Sequence, residues 1–486
     1  MPGISSSNLA IAGGAAPLGV LSHTPAARAT TPDVDWKQVA QDLAPMACDL
    51  GAASIRRKSR DFFWFSPVLS HQLSDVAADI VVTPRDEDEL VRLVRYCVGR
   101  GLPLTPRGAG TGNYGQAMPL YGGVVVDLTA LNATKWLKGG VLRAGAGKSL
   151  LEIEEEILPH GWELRFHPST WKTATIGGFV AGGSSGIGAI NYGTLPQAGN
   201  VLGLRVLTVE DEPRFIELRG PDVCKAIHAY GTTGLITEVE MALAPAIRWS
   251  EFVVSAPDIM AAARLADRVA HADGVIKKEL AAIDWGGARY FDDFLPYMRE
   301  GQPVIMAIIA ENSVEPFAQM VAEAGAEIVF SRGPDEDKLE PAPLWEFCWN
   351  HTTLQALKHD RSITYLQILF DAPDHLDKVA RMAEVFGDEV PVHLEFARVD
   401  GVVKCFGLQL VRFTTEARLE EIMRYHWSND CPVFNPHTYV LESGGGAVAD
   451  PAQFALKVEV DPYGLLNPGK MPGWGAPSGG FASRVA

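Results

Sequence analysis

Two glycine-rich runs constrain this chain more than any other feature. The first, "TPRGAGTGNYGQ" at residues 105–116, carries Gly108, Gly110, Gly112 and Gly115 behind Arg107. The second, residues 167–211, carries Gly177, Gly178, Gly182, Gly183, Gly186, Gly188, Gly193 and Gly199. Glycine allows positive φ and lets main chain approach a ligand closely. A flexible low-complexity linker would lack the apolar residues that punctuate the second run: Ile176, Phe179, Val180, Ile187, Ile190 and the strand-like "VLGLRVLTV". Two separated clusters of this kind predict ligand-binding loops.

The surroundings narrow the ligand. "DIVVTP" reads as a strand, "RDEDELVRLVRYCVGRG" as an amphipathic helix closed by Gly101, and "LPLTP" as a second strand from which the first loop hangs. After the loop, "GGVVVDLTAL" is again a strand. A nicotinamide-dinucleotide fingerprint needs its glycines between a strand and a helix, spaced G-x-G-x-x-G. Here they lie between two strands with spacing G-x-G-x-G, which disfavours that site. A phosphate can still be held by successive backbone N–H groups in a turn. "AGAGKSL" at 144–150 ends like a P-loop, but the required first glycine is Leu142. ATP binding there is rejected, and Lys148 is expected to be exposed before a helix.

The 486 residues allow two or three domains, and a formal charge of −17 without a basic face argues against nucleic-acid partners. Six scattered cysteines with no CxxC pair exclude iron–sulfur and zinc-cluster spacing and fit a reducing cytoplasm. No apolar stretch of about 18 residues is present, so no membrane span is expected. Residues 1–55 read as a loose N-terminal arm. From about 248 to 430 the texture becomes a repeated strand–helix–strand, four units in all, each helix preceded by Asp, Ser or Thr as a potential cap. Such a repeat makes an α+β layer with a mostly antiparallel sheet and helices on one face.

The stretches "VVTPRDEDELVRLVRYC", "PLTPRGAGTGNYGQ", "TIGGFVAGGSSGIGAINYGTLPQAGNVLGLRVLT", "YGTTGLITEVEMAL" and "LLNPGK" together resemble FAD-linked oxidases and dehydrogenases of the vanillyl-alcohol oxidase superfamily. The nearest branch is that of the glycolate oxidase subunit and D-lactate dehydrogenase. The resemblance implies an α+β chain: a PCMH-type two-subdomain FAD-binding domain at 56–247, a substrate domain of ferredoxin-like repeats at 248–430, and a C-terminal segment, 431–486, returning to the FAD domain. It places Pro106, Arg107, Gly108, Ala109, Gly110, Thr111, Asn113 and Tyr114 around the FAD pyrophosphate. It places Pro168, Ser169, Thr175, Ile176, Gly177, Gly178, Gly182, Gly183, Ser185 and Gly186 along pyrophosphate, ribityl chain and ring. Ile236 and Thr237 are assigned to the adenine or ribityl side, and Asn467 and Lys470 return near the flavin. Some relatives tether FAD to a histidine where this chain has Thr111, so noncovalent FAD is expected.

The substrate side departs from the pattern. The HxGDGNxH and GEHG stretches through which many hydroxy-acid dehydrogenases of this branch bind metal are absent, and Ser443 stands where the latter would have histidine; no metal is expected. The function implied is dehydrogenation of a small alcohol or 2-hydroxy acid, with oxygen, a quinone or a carrier protein as electron acceptor and possible homo-oligomerisation. An oxidase of aromatic alcohols or phenols and a non-catalytic FAD-binding subunit are the alternatives. A substrate hydroxyl needs a base, most often histidine. His393, His437 and Glu442 are the candidates beside abundant aromatics, and Arg361 is the candidate clamp for a substrate carboxylate. For each, an ordinary structural role competes.

Overall fold

The computed structural model describes residues 34–336, 340–444 and 450–474, the side chain of Trp474 excepted; most of the expected arm and the extreme C-terminus lie outside these residues. Residues 34–55 do not form a loose arm. A helix Trp36–Asp42 is followed by strand Ala47–Asp49 (β1), which joins the first sheet. That sheet adds Ile80–Thr83 (β2), Leu104–Arg107 (β3) and Val124–Asp127 (β4) in the order β1-β2-β4-β3, with β2 and β3 both parallel to β4. Helix Glu87–Arg100 forms as its periodicity predicts. Asp86 caps Glu89 N, Leu90, Leu93, Val94 and Val98 are buried, and Gly101 ends the helix at φ 65°.

The second sheet holds Thr134–Lys138 (β5), Val141–Gly145 (β6), Trp162–Leu164 (β7), Val201–Leu207 (β8), Phe215–Arg219 (β9) and Leu235–Pro245 (β10). Its order is β5-β6-β10-β8-β9, with β7 also paired to β10. Lys148 is half-buried rather than exposed, because its Nζ donates to Thr134 Oγ1 at 2.8 Å. The glycine loops hang between the two sheets, at the end of β3 and between β7 and β8.

The cap is an eight-stranded antiparallel sheet. Its strands are Trp249–Ser255 (β11), Lys277–Ile283 (β12), Val304–Ala310 (β13), Glu327–Arg332 (β14), Gln367–Phe370 (β15), His393–Val399 (β16), Val402–Gly407 (β17) and Val433–Phe434 (β18). Their order is β14-β11-β13-β12-β16-β17-β15-β18. Helices Ile259–His271, Val314–Glu323, His375–Phe386 and Glu416–Ser428 cover one face, sharing a core with Phe252, Val254, Leu280, Ala282, Ile305 and Ala307. Asp258 and Thr415 cap their helices through side chains, whereas Asp374 and Ser313 do not. The other face buries Val253, Ala281, Ile283 and Met306 against Phe291, Phe294 and Phe347 from irregular segments. From Val433 the chain returns to the first domain, where Leu466 bridges Leu104.

Candidate active site

One cavity of about 1030 Å³ runs along both glycine loops and ends against the cap. It sits at the upper end of the roughly 300–1,000 Å³ typical of small-molecule sites. Every residue expected at the cofactor lines it except Ile176, Gly186, Thr237, Asn467 and Lys470. The first loop is held in shape by Arg107, whose guanidinium donates to Arg60 O at 2.7 Å and Ala109 O at 3.1 Å. Gly110 sits at φ 72°, and a Cβ there would lie 2.2 Å from the same guanidinium. The second loop meets the first at Gly108, where a Cβ would lie 2.1 Å from Thr175 Oγ1. Thr175 in turn caps helix Ile176–Gly182 by accepting from Gly178 N at 3.2 Å. Gln116 joins the loops, accepting from Tyr114 N and donating to Gly182 O at 3.0 Å.

The five exceptions act from behind the wall. Ile176 belongs to the core of the second sheet, and Gly186 closes a turn in which a Cβ would lie 2.1 Å from His167 O. Thr237 donates to Glu87 at 2.7 Å. Asn467 donates to Gln116 O at 2.9 Å and Tyr230 O at 2.6 Å, and Lys470 Nζ donates to Gly115 O. The C-terminal motif thus fastens the first loop without reaching the cavity. Beneath that loop Asp61, which does line the cavity, accepts from Phe63 N and Ala117 N. Burial pushes the Asp61 carboxyl up and the Lys470 ammonium down, each opposed by the other's charge.

The four expected catalytic residues do not line the cavity. His393 is buried within β16, with Nδ1 2.9 Å from Leu408 O and Nε2 2.8 Å from Glu395 Oε1. Burial lowers its pKa to about 4 and raises that of Glu395 to about 7. His437 is fixed between Ser66 Oγ and Tyr365 O, and burial lowers it to about 4. Arg361 is exposed, with its guanidinium 5.6 Å from the Trp64 ring centroid. Glu442 accepts from Gly473 N at 2.8 Å, and burial raises its pKa. Hydrogen bonds tie His393, His437 and Glu442 into the fold and stacking holds Arg361, while Glu442 Oε2 is buried without a partner.

Other side chains take their place. The cap contributes Trp349, Asn350, His351, Gln367, Phe406 and Phe434 to the wall. Gln367 donates to the Tyr114 hydroxyl at 2.7 Å, which ties cap to first loop. His228 and Tyr230, at φ 52° and 53°, add a ring cluster around Tyr114. His228 Nδ1 lies 3.0 Å from Gly183 O, and burial lowers its pKa. His351 Nδ1 lies 3.0 Å from Glu346 Oε2, and Glu346 Oε1 is 3.0 Å from Lys172 Nζ. Burial pushes Glu346 up, but its neighbours His351 and Lys172 outweigh that and its carboxyl is held below the ordinary value. The sequence signals for this group were weak: His351 follows an aromatic cluster, and His228 lies just before "YGTTGLITEVE".

The residues present suit a dinucleotide. Main chain at Gly108, Gly110, Gly112, Gly178 and Gly182 lines the cavity, a Cβ at Gly108 would lie 2.1 Å from Thr175 and one at Gly110 or Gly112 2.2 Å from Arg107 or Gln116, and Arg107 Nε and Ser185 Oγ are buried without partners. Residues 78–213 match the FAD binding domain family. The chain carries that domain, in its PCMH-type form, and FAD is its cofactor. It is 24% identical over 431 residues to the glycolate oxidase subunit GlcD of Bacillus subtilis (81% of this chain, 88% of that one). It is 27% identical to the D-lactate dehydrogenase of Archaeoglobus fulgidus over 179 residues, covering 35% of this chain and 39% of the relative. A solved alkyldihydroxyacetonephosphate synthase shares the fold, with a TM-score of 0.66 and 14% identity over 90% of this chain and 85% of its own. Among the described residues no helix is long and apolar enough to cross a membrane.

Proposed function

We propose that the protein is an FAD-dependent oxidoreductase that dehydrogenates a small alcohol where the cap closes the cavity. One observation carries this: a histidine backed by a carboxylate, His351 with Glu346, stands in the cap wall of the cavity whose other end is built from the FAD loops. When bound, FAD supplies an acceptor for hydride from a C–H bond. The Glu346 carboxylate, 3.0 Å from His351 Nδ1 but outside hydrogen-bond geometry, attracts the ring electrostatically, and Nε2 is the nitrogen left to take the substrate hydroxyl proton. Trp349, Phe406 and Phe434 exclude water, and the Gln367–Tyr114 bond keeps the cap seated. His228 is the less suitable base, because its ring is packed with Tyr114 and Tyr230 beside the second glycine loop.

Dehydrogenation of a 2-hydroxy acid is the activity carried by the names of several relatives. The lining favours an uncharged alcohol instead, aromatic alcohols and phenols included. Among the described residues its only formally charged side chains are Asp61, Arg107 and Asp450. Arg107 already donates to Arg60 O and Ala109 O beneath the first loop. A buried substrate carboxylate without a cation would be costly.

The test is anaerobic reduction of the yellow protein by a panel of hydroxy acids and of benzylic and aliphatic alcohols. Bleaching by neutral alcohols is expected, and His351→Gln should cut kcat by about 10²–10⁴ with flavin content unchanged. A yellow protein that no donor bleaches, or a His351→Gln variant of full activity, would overturn the proposal.

A further inference from the structure

The cap sheet buries acidic side chains on the face away from its helices. Glu251 of β11 and Glu279 of β12 sit opposite the same residue, Ile308, and Glu395 of β16 sits opposite Ala281. The three therefore share one face of the sheet, with Ile308 of β13 between Glu251 and Glu279. Arg332 neutralises Glu251 in a buried ion pair. Glu279 and Glu395, 2% and 0% exposed, form no ion pair with Lys or Arg among the described residues. Two buried carboxyls side by side without a cation are expensive to charge.

Cys348, fully buried, completes the group: one donor atom each of Glu279, Cys348 and Glu395 lie within 4.8 Å of one another. Glu395 Oε1 accepts from Trp349 N at 2.6 Å and meets His393 Nε2 at 2.8 Å. Its other oxygen, Oε2, is buried with no N–H donor, and the Glu395 and Glu279 carboxyls contact each other directly. Two buried carboxyls in contact need a proton or a cation between them, and an acceptor without an N–H donor leaves a place for the cation. Glu279 accepts from Leu280 N and from the Trp349 indole N–H, both at 2.9 Å. Both carboxyls are thus oriented from outside, as supporting groups orient the ligands of a metal.

We infer that Glu279, Cys348 and Glu395 bind one divalent transition-metal ion of the zinc class. The thiolate selects against magnesium and calcium, and mixed sulfur and oxygen donors suit zinc. Binding releases the Cys348 thiol proton to solvent, and the fourth position goes to water or to a second carboxylate oxygen. The ion anchors the segment 348–351. Trp349, held at φ 53°, is bonded to both carboxyls while lining the cavity, and His351 follows two residues later. The site concerns the architecture of the cap and stands whether or not the proposed substrate class is right.

The test is elemental analysis of the flavin-loaded protein from zinc-supplemented culture, dialysed against metal-free buffer. About one zinc per chain is expected. Cobalt loaded in its place should give d–d bands at longer wavelength than the flavin, with a thiolate charge-transfer band. Cys348→Ser and Glu279→Gln should lose the metal and keep the flavin. Wild-type protein that stays metal-free after zinc loading, and gives no cobalt bands, would overturn the inference and leave the carboxyls sharing protons instead. These readouts need no substrate, so their failure is separable from failure of the proposed activity.

Discussion

The junction of the two glycine loops can be tested by one methyl group. Gly108 is not in the left-handed region, so alanine there is acceptable to the backbone. The cost is steric: the new Cβ would lie 2.1 Å from Thr175 Oγ1 and 3.3 Å from Thr175 Cβ. Relief requires the hydroxyl to rotate away, which breaks its 3.2 Å bond from Gly178 N. Loss of such a cap costs about 0.5–2 kcal/mol, and overpacking a close contact about 1–3 kcal/mol. Gly108→Ala should therefore cost about 2–4 kcal/mol, or ~30–1,000-fold in flavin affinity if the loss falls on the bound state. Thr175→Ala alone should cost only the cap. In Gly108→Ala/Thr175→Ala the offending oxygen is gone and only the 3.3 Å contact remains. The double variant should then bind FAD nearly as well as Thr175→Ala, giving a coupling close to the whole cost of Gly108→Ala, about 2–4 kcal/mol, in the cycle. Flavin-fluorescence titration of the apoproteins, with thermal unfolding in parallel, measures all four corners. Additive losses would refute the idea that this contact closes the cradle.

Two further outcomes follow from buried ionisable groups. Burial holds His426 and His437 at about 4 against an ordinary 6.5, so both stay neutral when folded and take up protons on unfolding. Their contribution is intact above about pH 6.5 and fades as pH falls toward 4; each should lose about 2 kcal/mol by pH 5. Urea midpoints that do not fall between pH 7.5 and about 5 would contradict it. Beneath the first loop, Lys470→Met leaves the buried Asp61 carboxyl without the stronger of its two favourable cations, at a cost of about 3–5 kcal/mol. Asp61→Asn/Lys470→Met should recover much of that loss in melting temperature and flavin occupancy, and a double variant worse than both singles would rule the coupling out.

What the sequence disclosed and what it hid divide along a physical line. Local spacing encodes local backbone. The helix Glu87–Arg100, its Asp86 cap and its Gly101 end could be read directly, as could the alternation of strand and helix in the cap. The glycine loops were legible for the same reason, since a wall of bare main chain needs glycine where it stands. The four expected catalytic residues fall outside the cavity wall because residue type says nothing about a partner far along the chain. His437 is bonded to Ser66 and to the carbonyl of Tyr365, and Arg361 lies over Trp64, across separations that no periodicity reports. Asn467 and Lys470 show the intermediate case. Their motif does return to the flavin domain, but it grips Gly115, Gln116 and Tyr230 through backbone carbonyls, so it shapes the cavity without facing it. The cap histidine that does face it, His351, sits at the start of helix Asn350–His359 with no motif around it. What distinguishes it is Glu346 on the preceding turn and Trp349 beside it, and Trp349 is placed in turn by Glu279 and Glu395 from two other strands. A site assembled through main-chain bonds to distant strands is therefore specified by sheet register, so a shift of β12 against β16 would displace His351 while leaving every flavin motif in the sequence untouched.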